Sequence, residues 1–190
     1  MSATVHGVRP SVHWHKVVYG INRPTDPAAD LERLGCVVSD LARQMLVKTH
    51  FNSQPSAVDV CRFHVARLGL PGATIARIYE CAQDFWPREV PAELGYWICR
   101  ALPPIYDPED YQDGAASVDE LGSYRYPWMR LGMRPIVVND CPYVFMVGYD
   151  DEGRRCLDVA RAHMTEVLPP DYVWIFVRGA RFKDGDSTDL

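Results

Sequence analysis

Cys36, in the run Gly35-Cys36-Val37-Val38-Ser39-Asp40-Leu41, is the residue whose type and position best suit it to chemistry. A thiolate is a strong nucleophile, and the backbone N–H groups at a helix start carry partial positive charge that favours thiolate over thiol. Gly35 before it would leave room for a substrate backbone. Free cysteine is as readily a small buried hydrophobe, here beside Leu34 and Val38. Other groups point to weaker chemistry. His13 and His15 alternate around Trp14, so a strand would put both imidazoles on one face, but a metal needs more ligands and only His6 lies nearby. Asp107-Pro108-Glu109-Asp110 lacks the spaced ligands and pivot glycine of a calcium loop and reads as a solvated turn. Tyr124, Tyr126 and Trp128 with Arg125 and Arg130 suit a stacking surface for a carbohydrate or protein partner, and equally a buried strand face. The cysteines at 36, 61, 81, 99, 141 and 156 show no C-x-x-C pair, so free thiols are expected rather than a zinc ribbon or disulfide framework, and no metal or cofactor is implied.

The elements that must position these groups can be read from periodicity. Residues 1–29 form an extended, turn-rich lead-in broken by Pro10, Pro24 and Pro27. From Asp30, Leu31, Leu34, Val38, Leu41 and Met45 recur at spacings of three and four, which predicts a buried helix with Cys36 near its first turn. A second helix is expected after Ser56, with Val58, Cys61, Val65 and Leu68 on one face and Gly69 ending it. A third carries Ile75, Ile78, Ala82 and Phe85, and Leu94–Leu102 is an apolar run suited to a short helix or strand. Ser117–Leu131 reads as a further helix broken near Pro127. Strands are then expected at Pro135–Val138, Tyr143–Val147, Arg155–Val159 and Tyr172–Val177, with a hairpin turn at Asp150–Gly153. The last strand is apolar on both faces and should be central. The pattern is one α+β domain over 30–183, N-terminal helices on a C-terminal antiparallel sheet, followed by a polar tail over 184–190.

A chain of 190 residues, 47% hydrophobic and 24% charged, can bury a core of its own. A net charge of −5, with acidic residues spread along the chain, argues against a nucleic-acid surface. No stretch nears the roughly 20 apolar residues of a membrane span, and Met1–Pro10 lacks the features of a secretory signal. The expected location is the cytoplasm where the chain is made, with incorporation into a virion or export without a signal peptide as alternatives.

Gly35-Cys36 followed by Leu41-Ala42 and Met45-Leu46 resembles the nucleophile helix of papain-like cysteine peptidases of the bacteriocin-leader-processing branch, whose helix reads roughly C-x-x-T-S-L-A-M-x-L. Gln54–Val60 is similar to that family's T-P-x-E-L segment. Gly132–Val138, Tyr143–Asp150 and Leu157–Ala160 resemble its G-R-P-V-I-V, H-F-V-V-V-T-G-Y-D and D-P strands. The resemblance spans roughly Asn22 to Phe176 and implies the papain-like fold, with Cys36 as nucleophile and Gly35 and Tyr143 beside the substrate. Relatives of this type cleave double-glycine leaders, cut cell walls or belong to phage tails. The resemblance thus implies a peptide or protein partner: a cell-wall peptide or other subunits of an assembly.

The family's histidine stands six residues before the glycine of its Gly-Tyr-Asp turn, where this chain has Pro142 between Cys141 and Tyr143. A cysteine nucleophile needs a base near neutral pKa to take its proton and return it to the leaving amine, and proline has no titratable group. Asp158 matches the residue that orients the absent imidazole, and His163, five residues on, is a weak substitute base. The family's oxyanion glutamine has no counterpart nearer than Asn22. The expectation is a papain-like protein that has lost catalysis and serves as a structural or binding component, such as one of a phage tail. The alternative is an active peptidase or amidase using Cys36.

Overall fold

The computed structural model of the protein describes residues 14–20, 24–68, 72–85, 89–101, 117–118, 124–125, 128–170 and 172–178. Strand β1 (Trp14–Tyr19) falls within the expected lead-in. Asp26 then caps helix α1 (Pro27–Arg33), its Oδ1 accepting from the Ala29 N–H at 3.0 Å, and Pro27 fits the first turn, where no N–H is required. The helix ends in a Schellman motif: the Gly35 N–H donates to Glu32 O at 2.9 Å and the Cys36 N–H to Leu31 O at 3.0 Å. Gly35 has φ 78°, the left-handed conformation that this motif asks of its glycine.

The single helix expected from Asp30 through Met45 is therefore two. Cys36 and the short strand β2 (Val37–Val38) separate α1 from α2 (Asp40–Lys48), which Ser39 caps by accepting from the Ala42 N–H at 3.2 Å. Two termination signals, a left-handed glycine and a capping serine, override a continuous apolar stripe.

The second expected helix is a strand. β3 (Ser56–His64) pairs antiparallel with β1 along its first half, Ser56 opposite Tyr19, and with a later strand along its second. Its Val58-Asp59-Val60 stretch is β-branched enough to suit a sheet flanked on both sides, and the spacing of Val58, Cys61 and Val65 mimics a helix period only by coincidence. A 3-10 turn over Val65–Leu68 and β4 (Ala73–Thr74) lead into α3 (Ile75–Phe85), as expected, and α4 (Leu94–Ala101) resolves the Leu94–Leu102 run as helix.

In place of a helix over Ser117–Leu131, the described residues form β5 (Ser117–Val118), β6 (Tyr124–Arg125) and β7 (Met129–Leu131). The remaining strands are β8 (Ile136–Val138), β9 (Cys141–Tyr149), β10 (Arg155–Arg161), β11 (Val167–Leu168) and β12 (Val173–Val177). The main sheet runs β1-β3-β12-β7-β9-β10-β2, with β8 paired to β9. It is mixed rather than antiparallel, since β12–β7 and β10–β2 are parallel, and it recruits β1, β2 and β3 from the N-terminal part. The α+β class holds, but the segregation of helices before sheet does not.

β12 lies inside the sheet with every residue buried, as its two apolar faces require. The Asp150–Gly153 turn is also as expected: Asp150 Oδ1 accepts from the Glu152 and Arg154 N–H groups, and Gly153 has φ 72°. On one side α3 packs Tyr79 edge-on against Trp174, the ring centroids 5.7 Å apart, and its hydroxyl donates to Met133 O at 2.5 Å. α4 approaches β9 so closely at Gly95 that a Cβ there would stand 2.9 Å from the Phe145 ring. Among the described residues no helix is long and apolar enough to cross a membrane.

Candidate functional site

Cys36 sits where α1 ends, one residue before the edge strand β2, whose Val37 pairs with Cys156 on β10. The residue is 5% exposed, although Leu34, Gly35 and Val37 around it are exposed. As C″ residue of the Schellman motif it joins the same core as Leu31, the apolar pairing that this motif favours. Its Sγ donates to the Cys99 carbonyl at 3.9 Å, in the last turn of α4. The thiol therefore faces the C-terminal ends of α1 and α4, where unpaired carbonyls carry partial negative charge. That is the reverse of the helix N-terminus expected from the sequence.

A cation compensates. Arg155 donates through Nη1 to Arg100 O at 2.5 Å and through Nη2 to Leu34 O at 3.1 Å, so one guanidinium ties the segment bearing Cys36 to the segment bearing Cys99. Beside it Asp30 accepts from Arg33 at 2.9 Å, from Arg100 at 2.6 Å and from the Tyr96 hydroxyl at 2.5 Å. The Cys36 thiol is pulled down to about 7, chiefly by a hydrogen bond from the Cys99 thiol, distinct from the bond to the Cys99 carbonyl, helped by the charge of Arg155 and opposed by burial and by Asp30. Cys99, the donor of that thiol–thiol hydrogen bond, is pushed far up by it and by burial, and so keeps its proton. The Cys156 Sγ donates to Arg154 O at 3.3 Å, within its own segment.

Among the described residues, the other sequence-derived candidates are not gathered around this thiol. Pro142 lies six residues along β9 from Gly148, the partner of Cys156, which is roughly 20 Å of strand from the Cys36 segment. Pro142 and Tyr143 are paired with Val137 and Ile136 of β8. Asp158 is half-buried two residues from Cys156, about 7 Å along β10, and its Oδ1 accepts from the Val159 N–H at 2.8 Å rather than orienting an imidazole. His163 is exposed beyond Arg161, the end of β10 far from Cys156, with its carbonyl accepting from the Glu166 N–H. Gly35 serves the helix terminus. Asn22, His6, His13, Asp107–Asp110 and Tyr126 lie outside the described residues. Arg130, read as part of a stacking surface, is buried, its guanidinium 4.6 Å above the Tyr172 ring. Among the described residues no group of three or more His, Cys, Asp or Glu could hold a metal ion.

Cys99, Arg155 and the Asp30–Tyr96–Arg100 network escaped the sequence reading. Cys36 and Cys99 are 63 positions apart, and no local spacing marks residues joined only by β2–β10 pairing and the docking of α4. Comparison with family models, curated proteins and solved structures finds no match to this chain.

Proposed function

We propose that this protein is a catalytically silent relative of the papain-like cysteine peptidases, acting as a binding or structural component of a larger assembly such as a phage tail. The observation that carries the reading is the setting of Cys36. Its sulfur is covered, faces two helix C-termini, and is acted on by Cys99, Arg155 and Asp30, none of which is a general base for acyl transfer at neutral pH. The strand position that would carry the histidine lies far along the sheet and holds proline.

One observation favours an active peptidase or amidase instead: a thiol drawn to about 7 is substantially thiolate at neutral pH. Nucleophilicity without a proton donor for the leaving amine does not complete amide cleavage. Peptidyl vinyl sulfones carrying double-glycine or cell-wall peptide sequences separate the two. Labelling of Cys36 no faster than by a vinyl sulfone lacking the peptide is the expected result. Strong acceleration by the peptide portion would establish a substrate cleft and reverse the conclusion.

A further inference from the structure

We infer that Cys36 and Cys99 form a redox pair, in which Cys36 is oxidised by a hydroperoxide and Cys99 closes a disulfide upon it. Three features of the geometry support this, independently of whether the fold once supported a peptidase. The Cys36 sulfur lies 3.9 Å from the backbone carbonyl of Cys99 itself, which brings together residues 63 positions apart. Arg155 bonds both Leu34 O, two residues before Cys36, and Arg100 O, one residue after Cys99, so the two segments are clamped by one charged group. The third nearby thiol, Cys156, donates instead to Arg154 O at 3.3 Å, a carbonyl of its own chain segment.

The roles divide by environment. Cys36 is the thiol held near neutrality beside a guanidinium, one residue beneath a surface made by Leu34, Gly35 and Val37, and Gly35 leaves open space where a side chain would begin. Cys99 is fully buried and stays protonated, so a small oxidant meets Cys36 first. The Cys36 thiolate attacks one oxygen of hydrogen peroxide. The O–O bond breaks, leaving Cys36 sulfenic acid and a hydroxide that takes a proton to become water. The Cys99 sulfur, giving up its proton, then attacks the sulfenic sulfur and displaces its hydroxyl as a second water. Two thiols and one peroxide thus yield one disulfide and two waters. A thiol reductant reverses the bridge.

The order of oxidation discriminates, because Cys81 and Cys141 are less buried than Cys36 and would react first if exposure alone decided. The reduced full-length chain is treated with graded hydrogen peroxide at pH 7, the remaining thiols are alkylated, and the linked peptides are mapped by mass spectrometry. The expected product is a Cys36–Cys99 peptide, formed before Cys81 or Cys141 is lost. Cys99→Ser should instead leave a Cys36 sulfenic acid that dimedone traps, and Arg155→Gln should slow Cys36 loss several-fold. Oxidation of Cys81 or Cys141 ahead of Cys36, or a bridge from Cys36 to any other cysteine, overturns the inference. The wild-type map requires no variant to fold, and its reading is separate from peptide-dependent labelling.

Discussion

Gly35 governs the role open to Cys36. With Gly35 at φ 78° the chain leaves α1 in a Schellman turn, and Cys36 emerges at the negative end of the helix. Gly35→Ala meets no neighbouring atom but must adopt left-handed backbone, at a cost of about 1 kcal/mol, which lowers Tm by about 3 °C in thermal unfolding. The pH dependence has a definite sign. The folded pKa of Cys36 is depressed from 9.0 to about 7, so its contribution to stability is lost as pH falls through 7 and grows as pH rises toward the unfolded value. Between pH 6 and 8 the urea midpoint of wild type should therefore rise relative to Cys36→Ala, and parallel profiles would deny the shift. Arg130 gives a residue-scale test elsewhere. Its Nε and Nη1 are buried with no hydrogen-bond partner among the described residues, although the guanidinium lies over the Tyr172 ring, and burial lowers its pKa. Arg130→Met should be neutral or stabilising by about 1 kcal/mol in chemical denaturation, because two buried guanidinium N–H groups left without hydrogen bonds are costly.

At the scale of elements, legibility followed the strength of local signals. β12 was readable because Val173–Val177 is apolar on both faces, and the β9–β10 turn because Asp150 and Gly153 supply both the side-chain acceptor and the positive φ. α3 was readable because its apolar stripe runs unbroken. The α1–β2–α2 break was not, although Gly35 and Ser39 were both visible, because Leu31, Leu34, Val38 and Leu41 keep a helical period across it. β3 failed for a different reason: its partners β1 and β12 are distant in sequence, and only tertiary pairing selects strand over helix there. Ser39→Ala tests the break directly. It removes the acceptor for the Ala42 N–H and should cost about 1 kcal/mol, seen as a fall in Tm of about 3 °C, with helix content reduced in far-ultraviolet circular dichroism.

For the molecule as a whole, the α+β class and the distal strands were legible, while the mixed sheet and the thiol site were not. The site depends on the parallel β2–β10 pairing and on α4 docking, both made by contacts between segments far apart in sequence. A bridge between Cys36 and Cys99 would tie the α1–β2 junction to α4 across 63 positions, and loop closure over that span is worth up to about 4 kcal/mol. Peroxide-treated protein should therefore melt up to roughly 10 °C above the reduced form, and return to the lower value with dithiothreitol. Lack of any rise would place the sulfurs in strained geometry or apart.

The proposed silent role for Cys36 rests on what its sulfur can do to an amide. The most direct measurement is the rate at which the full chain hydrolyses double-glycine leader peptides and peptidoglycan stem peptides under reducing conditions at pH 7, compared with Cys36→Ala. Equal rates, both at background, are expected from a thiol facing two helix C-termini with no imidazole among the described residues acting on it. Turnover by the wild type that vanishes in Cys36→Ala would contradict that reading.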